Sequence, residues 1–147
     1  MYKFATIDRF ITKMEIRIIT WEETIPLRQS VLWPNKSPEH CHVDGDKDGL
    51  HFGTFIDEVL VCVASVYLTL NKARLRKFAT DVSYQHQGIG SKMLAHVIQS
   101  LKSRQVGCLW CDARESAIDF YKRFGLQTCS ERFYKADVPF FKMEVAL

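Results

Sequence analysis

No stretch of this 147-residue chain approaches the roughly 20 consecutive apolar residues that a membrane-spanning helix needs, so no membrane association is expected. The opening Met1-Tyr2-Lys3-Phe4 has a lysine but lacks the apolar centre and cleavage site of a secretory leader. Internal repeats and low-complexity tracts are missing, which leaves an ordinary globular domain. An excess of one charge is missing too. Twenty Lys and Arg face 17 Asp and Glu, a net +3, and the basic residues are scattered among the acids rather than gathered on one face; no nucleic-acid partner is expected. Nor is there a disulfide framework: the five cysteines are an odd number, and most sit inside apolar runs such as Val61-Cys62-Val63. They read as reduced core thiols of a cytoplasmic protein.

What is present fits one domain over residues 1–147, with a 47% hydrophobic content and room for a single core. Residues 1–13 show little pattern and read as a loose N-terminal extension. Residues 15–20 are rich in β-branched side chains and predict a strand. A helix follows to Trp33; Pro26 is tolerable in a first turn, so its start is expected near Thr24, and Trp33-Pro34 stops it. Residues 34–48 form a polar loop. Strands over 49–57 and 58–70 are joined by a tight turn at Asp57-Glu58, and a fourth strand covers 73–80. A helix to about Arg104, a buried strand over 107–112 and a short helix carrying Tyr121 come next. Two closing strands, 127–133 and 140–145, are separated at Asp137-Val138-Pro139. The order predicts an α/β fold: a mixed, mostly antiparallel sheet of six or seven strands with helices on both faces.

The chain is organised around Phe78-Ala79-Thr80-Asp81-Val82-Ser83-Tyr84-Gln85-His86-Gln87-Gly88-Ile89-Gly90-Ser91. A strand ends near Thr80, and two glycines open a helix whose apolar residues Met93, Leu94, Val97, Ile98 and Leu101 recur at helical spacing. The first amides of a helix lack partners and its dipole end is positive. Glycines there admit a charged ligand close to the backbone, so the segment is an anion cradle suited to a pyrophosphate. It is not a P-loop, because Gly90 is followed by Ser91-Lys92-Met93 in the wrong spacing, and the third glycine of a dinucleotide fingerprint is replaced by Met93.

Gln85-x-x-Gly88-x-Gly90 resembles the acyl-CoA motif of the GNAT superfamily of N-acetyltransferases. The segment Arg114 to Leu126, with Ala117, Tyr121 and Gly125-Leu126, resembles the same superfamily's second signature, in the right order and separation. The resemblance covers roughly residues 15–147. It implies acetyl-CoA as co-substrate, lying between two splayed central strands. The backbone of Phe78, Ala79 and Thr80 would meet the pantetheine arm, and Gln85 and the amides of His86, Gln87, Gly88, Ile89, Gly90 and Ser91 would hold the pyrophosphate. Tyr121 would be the acid that protonates the departing thiolate, which a phenol within hydrogen-bond reach can do. Arg114 stands where the family often has Asn, in a cofactor-contacting place. The implied acceptor is a primary amine of a small molecule or peptide, and the resemblance leaves a homodimer open. A non-catalytic acyl-CoA sensor would keep the cradle without needing Tyr121, and an interaction module would need neither.

No general base is indicated. Family members that acetylate protein N-termini use a Glu where Leu109 stands here; His51, Asp81, Glu58 or a water chain could serve instead. The ending Asp137-Val138-Pro139-Phe140-Phe141-Lys142-Met143 resembles a family ending with a His that is absent here. Asp44-Gly45-Asp46-Lys47-Asp48-Gly49 matches half of a calcium loop, but the twelfth position is Phe55 instead of Glu, so a flexible acidic turn is expected. Such a turn would favour a cationic amine. Cys108-Leu109-Trp110-Cys111 lies within a strand, and His40-Cys41-His42 is the only cluster to complete a zinc set, so no metal is expected.

Overall fold

The computed structural model describes residues 13–147; the reading of residues 1–13 as an extension falls outside them but for Lys13. The element order is β1 (Met14–Ile19), α1 (Trp21–Leu27), β2 (Leu50–Ile56), β3 (Val59–Thr69), β4 (Lys72–Thr80), α2 (Ile89–Ser103), β5 (Cys108–Arg114), α3 (Ile118–Lys122), β6 (Gln127–Thr128), β7 (Phe133–Lys135) and β8 (Val138–Ala146). The sheet runs β1-β2-β3-β4-β5-β8-β6, with β7 also paired to β8. Every pairing is antiparallel except β4 with β5.

The sheet has eight strands, where six or seven were expected. The run 127–133 breaks into β6 and β7 because the backbone pairing to β8 lapses after Cys129, whose N–H still bonds the Lys142 carbonyl, while Pro139 sits inside β8 opposite Tyr134. The break expected at residues 137–139 is a two-residue hairpin turn instead, with Ala136 and Asp137 both at positive φ. Asp57 and Glu58, also both at positive φ, make the expected turn between β2 and β3.

α1 starts at Trp21, three residues before the expected start. Thr20 caps it, accepting from the Glu23 N–H at 3.2 Å, while the Glu23 carboxylate accepts from the Thr20 N–H at 2.8 Å. This reciprocal box outweighs the tendency of Pro26 to mark a first turn. Past Pro26 the chain widens into a π-turn over Arg28–Leu32, closed by Trp33 N–H to the Arg28 carbonyl.

Two clusters flank the sheet. On one face Met93, Leu94, Val97 and Leu101 of α2 pack on Phe52, Val66, Leu75, Leu109 and Met143, all essentially without solvent contact. On the other, Leu27 of α1 packs on Ile19, Val63 and Ala79. α3 ends in a Schellman motif: Leu126 N–H bonds the Tyr121 carbonyl, Gly125 N–H bonds the Lys122 carbonyl, and Gly125 has φ +91°.

Candidate active site

β4 and β5 pair only at Lys72–Cys108, Ala73–Leu109 and Arg74–Trp110. Beyond that both continue, to Thr80 and Arg114, without pairing to each other. β4 remains paired to β3 on its other side, but with an irregularity: Ser65 faces Arg76 and Val63 faces Ala79, so Ala64 alone opposes Lys77 and Phe78. Lys77 takes the extra residue at φ +55°. Such a bulge bends its strand and increases the local twist, here away from β5. Phe78, Ala79 and Thr80 therefore lie on an open strand edge.

The wedge between the strands is a cleft of about 350 Å³, with Leu75, Phe78, Cys111, Ala113, Ala117 and Tyr121 in its lining. Phe78 lines both this cleft and a second hollow of about 520 Å³. Gln85, His86, Gly88, Ile89, Gly90 and Ser91 line that hollow. Gly88 caps α2 at φ +82°, and a side chain there would meet no atom within 4 Å. The first intrahelical bond is Lys92 N–H to the Gly88 carbonyl, so the N–H groups of Ile89, Gly90 and Ser91 have no partner within the helix. A Cβ on Gly90 would touch only the Phe78 ring, at 3.6 Å, and the Thr80 hydroxyl, at 4.0 Å. An open cradle, free amides and an unpaired strand edge in sequence fit a pyrophosphate with an extended amide-bearing arm. Gln85 works on shape: its side chain donates to the Thr80 carbonyl at 2.9 Å and ties the loop to the end of β4. Gln87 donates to the Ser83 carbonyl at 3.4 Å.

Tyr121 stands on the wall of the wedge, with Phe120 edge-on at 5.2 Å between ring centroids. Burial, and then the neighbouring Cys111, push its phenol well above the ordinary value of 10, so it keeps its proton at neutral pH. Burial also holds the Cys111 thiol up at about 12, which disqualifies it as a nucleophile. Ala117 shares the cleft with Tyr121, whereas Phe124 packs against Phe120. Arg114 lies at the end of β5 in the same cleft and does not reach the cradle hollow.

The three polar candidates for a base are engaged elsewhere. His51 is buried, with Nδ1 2.7 Å from the Ser65 hydroxyl and Nε2 2.8 Å from the Asp46 carbonyl. Asp81 caps the turn before Tyr84, and Glu58 pairs with Arg17. The acidic loop is not a flexible turn. Asp46 is fully buried against Arg28, at 2.8 and 3.0 Å, and takes the Val43 N–H as well. Among the described residues no group of three or more His, Cys, Asp or Glu is placed to hold a metal ion, and no helix is long and apolar enough to cross a membrane.

Several lining residues carried no sequence signal. Arg123 sits beside the cradle, 3.5 Å from the Ser91 hydroxyl. Arg74, Arg76, Lys77 and Lys135 line the wedge on the face opposite α2. Alternation on β4 could have marked Arg74 and Arg76 as sharing a face, but nothing in the sequence said which face stays open.

The splayed strands and the glycine-opened helix are the architecture of acyl-CoA-dependent acyltransferases. A family model described as an acetyltransferase (GNAT) domain matches residues 36–147, and the chain belongs to the GNAT family of N-acyltransferases. The uncharacterized N-acetyltransferase YitI of Bacillus subtilis (strain 168) is 32% identical over 135 residues, 86% of this chain and 89% of that one. The ribosomal protein bS18-alanine N-acetyltransferase of Escherichia coli (strain K12) is 34% identical over 76 residues, 50% of this chain and 51% of that one. A crystal structure of the PaiA N-acetyltransferase of Thermoplasma acidophilum in complex with coenzyme A shares the fold, with a TM-score of 0.68 at 18% identity over 92% of this chain and 99% of that one.

Proposed function

We propose that this protein transfers an acetyl group from acetyl-CoA to a primary amine by direct attack in the wedge between β4 and β5. The observation that carries the reading is the separation of those strands past Arg74, which leaves one open edge running from Tyr121 to the α2 amides. Coenzyme A in the complex of the PaiA relative, and the acetyltransferase activity in the names of the sequence relatives, support the donor and the reaction class.

Acetyl-CoA supplies a thioester carbonyl open to attack. The N–H groups of Ile89, Gly90 and Ser91, at the positive end of α2, would hold its pyrophosphate. The free edge of β4 at Phe78, Ala79 and Thr80 would bond its extended arm as a neighbouring strand would. A β4 N–H beside the bulge would polarise the carbonyl oxygen, and fixed backbone dipoles need no reorganisation as charge develops there. Holding thioester and amine in one wedge makes the reaction effectively unimolecular. Tyr121, protonated at neutral pH, would give its proton to the departing sulfur, and the proton that the attacking nitrogen sheds to solvent as the amide forms would restore the phenol.

Tyr121→Phe tests the assignment. It removes one oxygen and keeps the ring that packs on Phe120, so folding should hold. kcat should fall about 100-fold or more, the scale of general acid catalysis, while acetyl-CoA affinity stays near its original value. Full kcat in a folded variant would leave Tyr121 a packing residue.

A further inference from the structure

We propose that the acceptor is a small amine bearing a carboxylate or phosphate, seated by Arg76 and its cationic neighbours on the open face of β4 and β5. The inference rests on the acetyl-transfer reading above and specifies its acceptor. Five cations line the wedge (Arg74, Arg76, Lys77, Arg114 and Lys135) against a single acid, Asp112. That acid is already shared: its Oδ2 lies 3.0 Å from an Arg74 nitrogen and 3.0 Å from Lys135 Nζ. Among the described residues neither Arg76 nor Lys77 has a carboxylate within ion-pair distance, and both are half-buried.

The nearby acids do not fill the gap. Asp46 is turned inward and neutralised by Arg28. Ser65, opposite Arg76 on β3, already accepts from Arg28 at 2.9 Å and meets His51 at 2.7 Å. Asp48 lines a wider hollow of about 860 Å³ that Arg74 and Arg76 also border, and Asp44 lines both that hollow and a smaller one of about 330 Å³ with Arg76 and Lys77; neither acid lines the wedge with Tyr121 or lies within ion-pair distance of these cations. Lys77 rests on the Trp33 ring, 4.4 Å from its centroid, a contact that orients a cation without neutralising it.

Burial, then repulsion from Arg76 and other cations, holds the Lys77 ammonium down at about 8; burial and then Arg74 lower the Arg76 guanidinium too. An anion here would relieve both, and a guanidinium fork matches a carboxylate or phosphate geometrically. The same positive field disfavours the protonated amine, so it promotes the nucleophilic form in a wedge whose one carboxylate, Asp112, is held by Arg74 and Lys135.

The test is a matched series: one primary amine carrying a phosphate, a carboxylate, or a neutral hydroxyl, with transfer followed as free thiol. The anionic members should exceed the neutral one at least tenfold in kcat/KM, and comparing the first two separates phosphate from carboxylate. Arg76→Gln should cost them about 10- to 100-fold, mostly in KM, the scale of a hydrogen bond to a charged group, so that the preference collapses. Lys77→Gln should act in the same direction and serves if the first variant misfolds. In a parallel measurement, with the cradle saturated by coenzyme A, inorganic phosphate or acetate should raise the melting temperature of the wild type more than that of either variant. Equal use of the neutral amine, a preference for an amine without an acidic group, or equal losses on all three amines would overturn the proposal. Acetyl-CoA is titrated into the same preparations. If it fails to bind, the acetyl-transfer reading falls and takes this one with it; if it binds and acceptor charge is immaterial, only the anionic acceptor falls.

Discussion

Asp46→Asn should be among the most damaging single changes in the molecule. The carboxylate receives two bonds from Arg28, at 2.8 and 3.0 Å, one from the Val43 N–H at 2.8 Å, and one from the Tyr67 hydroxyl. Neither Arg28 nor Asp46 has any exposed side-chain surface. Asparagine keeps one acceptor and turns the other into a donor that faces donors, and it leaves a buried guanidinium without its counter-charge. Breaking a buried pair from one side costs about 3–5 kcal/mol. For a chain of this length each kcal/mol moves the melting temperature by roughly 2–4 °C, so a loss on the order of 10 °C is expected at neutral pH. The sign of the pH dependence follows from the carboxyl itself. Burial alone would raise it, but the bonds from Arg28, Tyr67 and Val43 prevail and hold it at about 2, below its ordinary 3.8. Its contribution is therefore complete above 3.8 and is lost as pH falls towards 2. Thermal unfolding of both proteins from pH 7 to pH 3 should show a gap that narrows below pH 4. A deficit under about 1 kcal/mol at pH 7, or one independent of pH, would refute the account of this pair. Because Asp44, Gly45 and Asp48 line the hollow that Arg74 and Arg76 also border, the variant should also raise the amine KM, if the acceptor sits as proposed, while leaving acetyl-CoA affinity intact below its melting temperature.

Gly90→Asp should abolish acetyl-CoA binding in a folded protein, because its Cβ meets only the Phe78 ring and the Thr80 hydroxyl at ordinary distances while its carboxylate occupies the anion cradle; calorimetric titration with retained affinity would remove the pyrophosphate from this helix start. Calcium at millimolar concentration should shift the melting temperature no more than magnesium does, since both oxygens of Asp46 are already bonded to Arg28, and a calcium-specific rise would mean that the loop rearranges to bind.

The parts of the fold that were legible in the sequence are those where one local force dominates. The apolar spacing of α2 matches its buried face at Met93, Leu94, Val97 and Leu101, with Ile98 partly buried beside them, and Asp57-Glu58 makes the turn that two polar residues between strands suggest. The start of α1 is set by the Thr20–Glu23 capping box, a stronger local signal than Pro26, on which the later expected start rested. The division between β6 and β7 carries no propensity signal, because strand pairing decides where a ladder is interrupted. The Arg28–Asp46 pair is invisible to local reading. The acids of the loop looked like a solvated turn, and the arginine that buries one of them is 18 residues away on another element. The cationic wall was missed for the same reason, since net charge is mild and only the topology shows which face of β4 lacks a cover.

The extra residue in β4 connects these observations. In an unbroken strand Phe78 would follow Arg74 and Arg76 onto the open face, because side chains repeat every second residue. Lys77, at φ +55°, shifts the alternation by one. Phe78 consequently turns to the α2 side, where its ring lies 6.1 Å from that of Phe120, and Ala79 turns to pack with Leu27 beneath α1. One strand thus offers cations to one side of the wedge, an aromatic joint between wedge and cradle to the other, and an unpaired edge between them. A left-handed backbone is strained for a non-glycine residue such as Lys77 and persists only where its surroundings fix it. Here the regular pairs Ser65–Arg76 and Val63–Ala79 hold it on both sides, and the Trp33 ring holds the Lys77 ammonium. The separation of the two sides proposed for donor and acceptor is therefore a consequence of strand register, set before any ligand arrives.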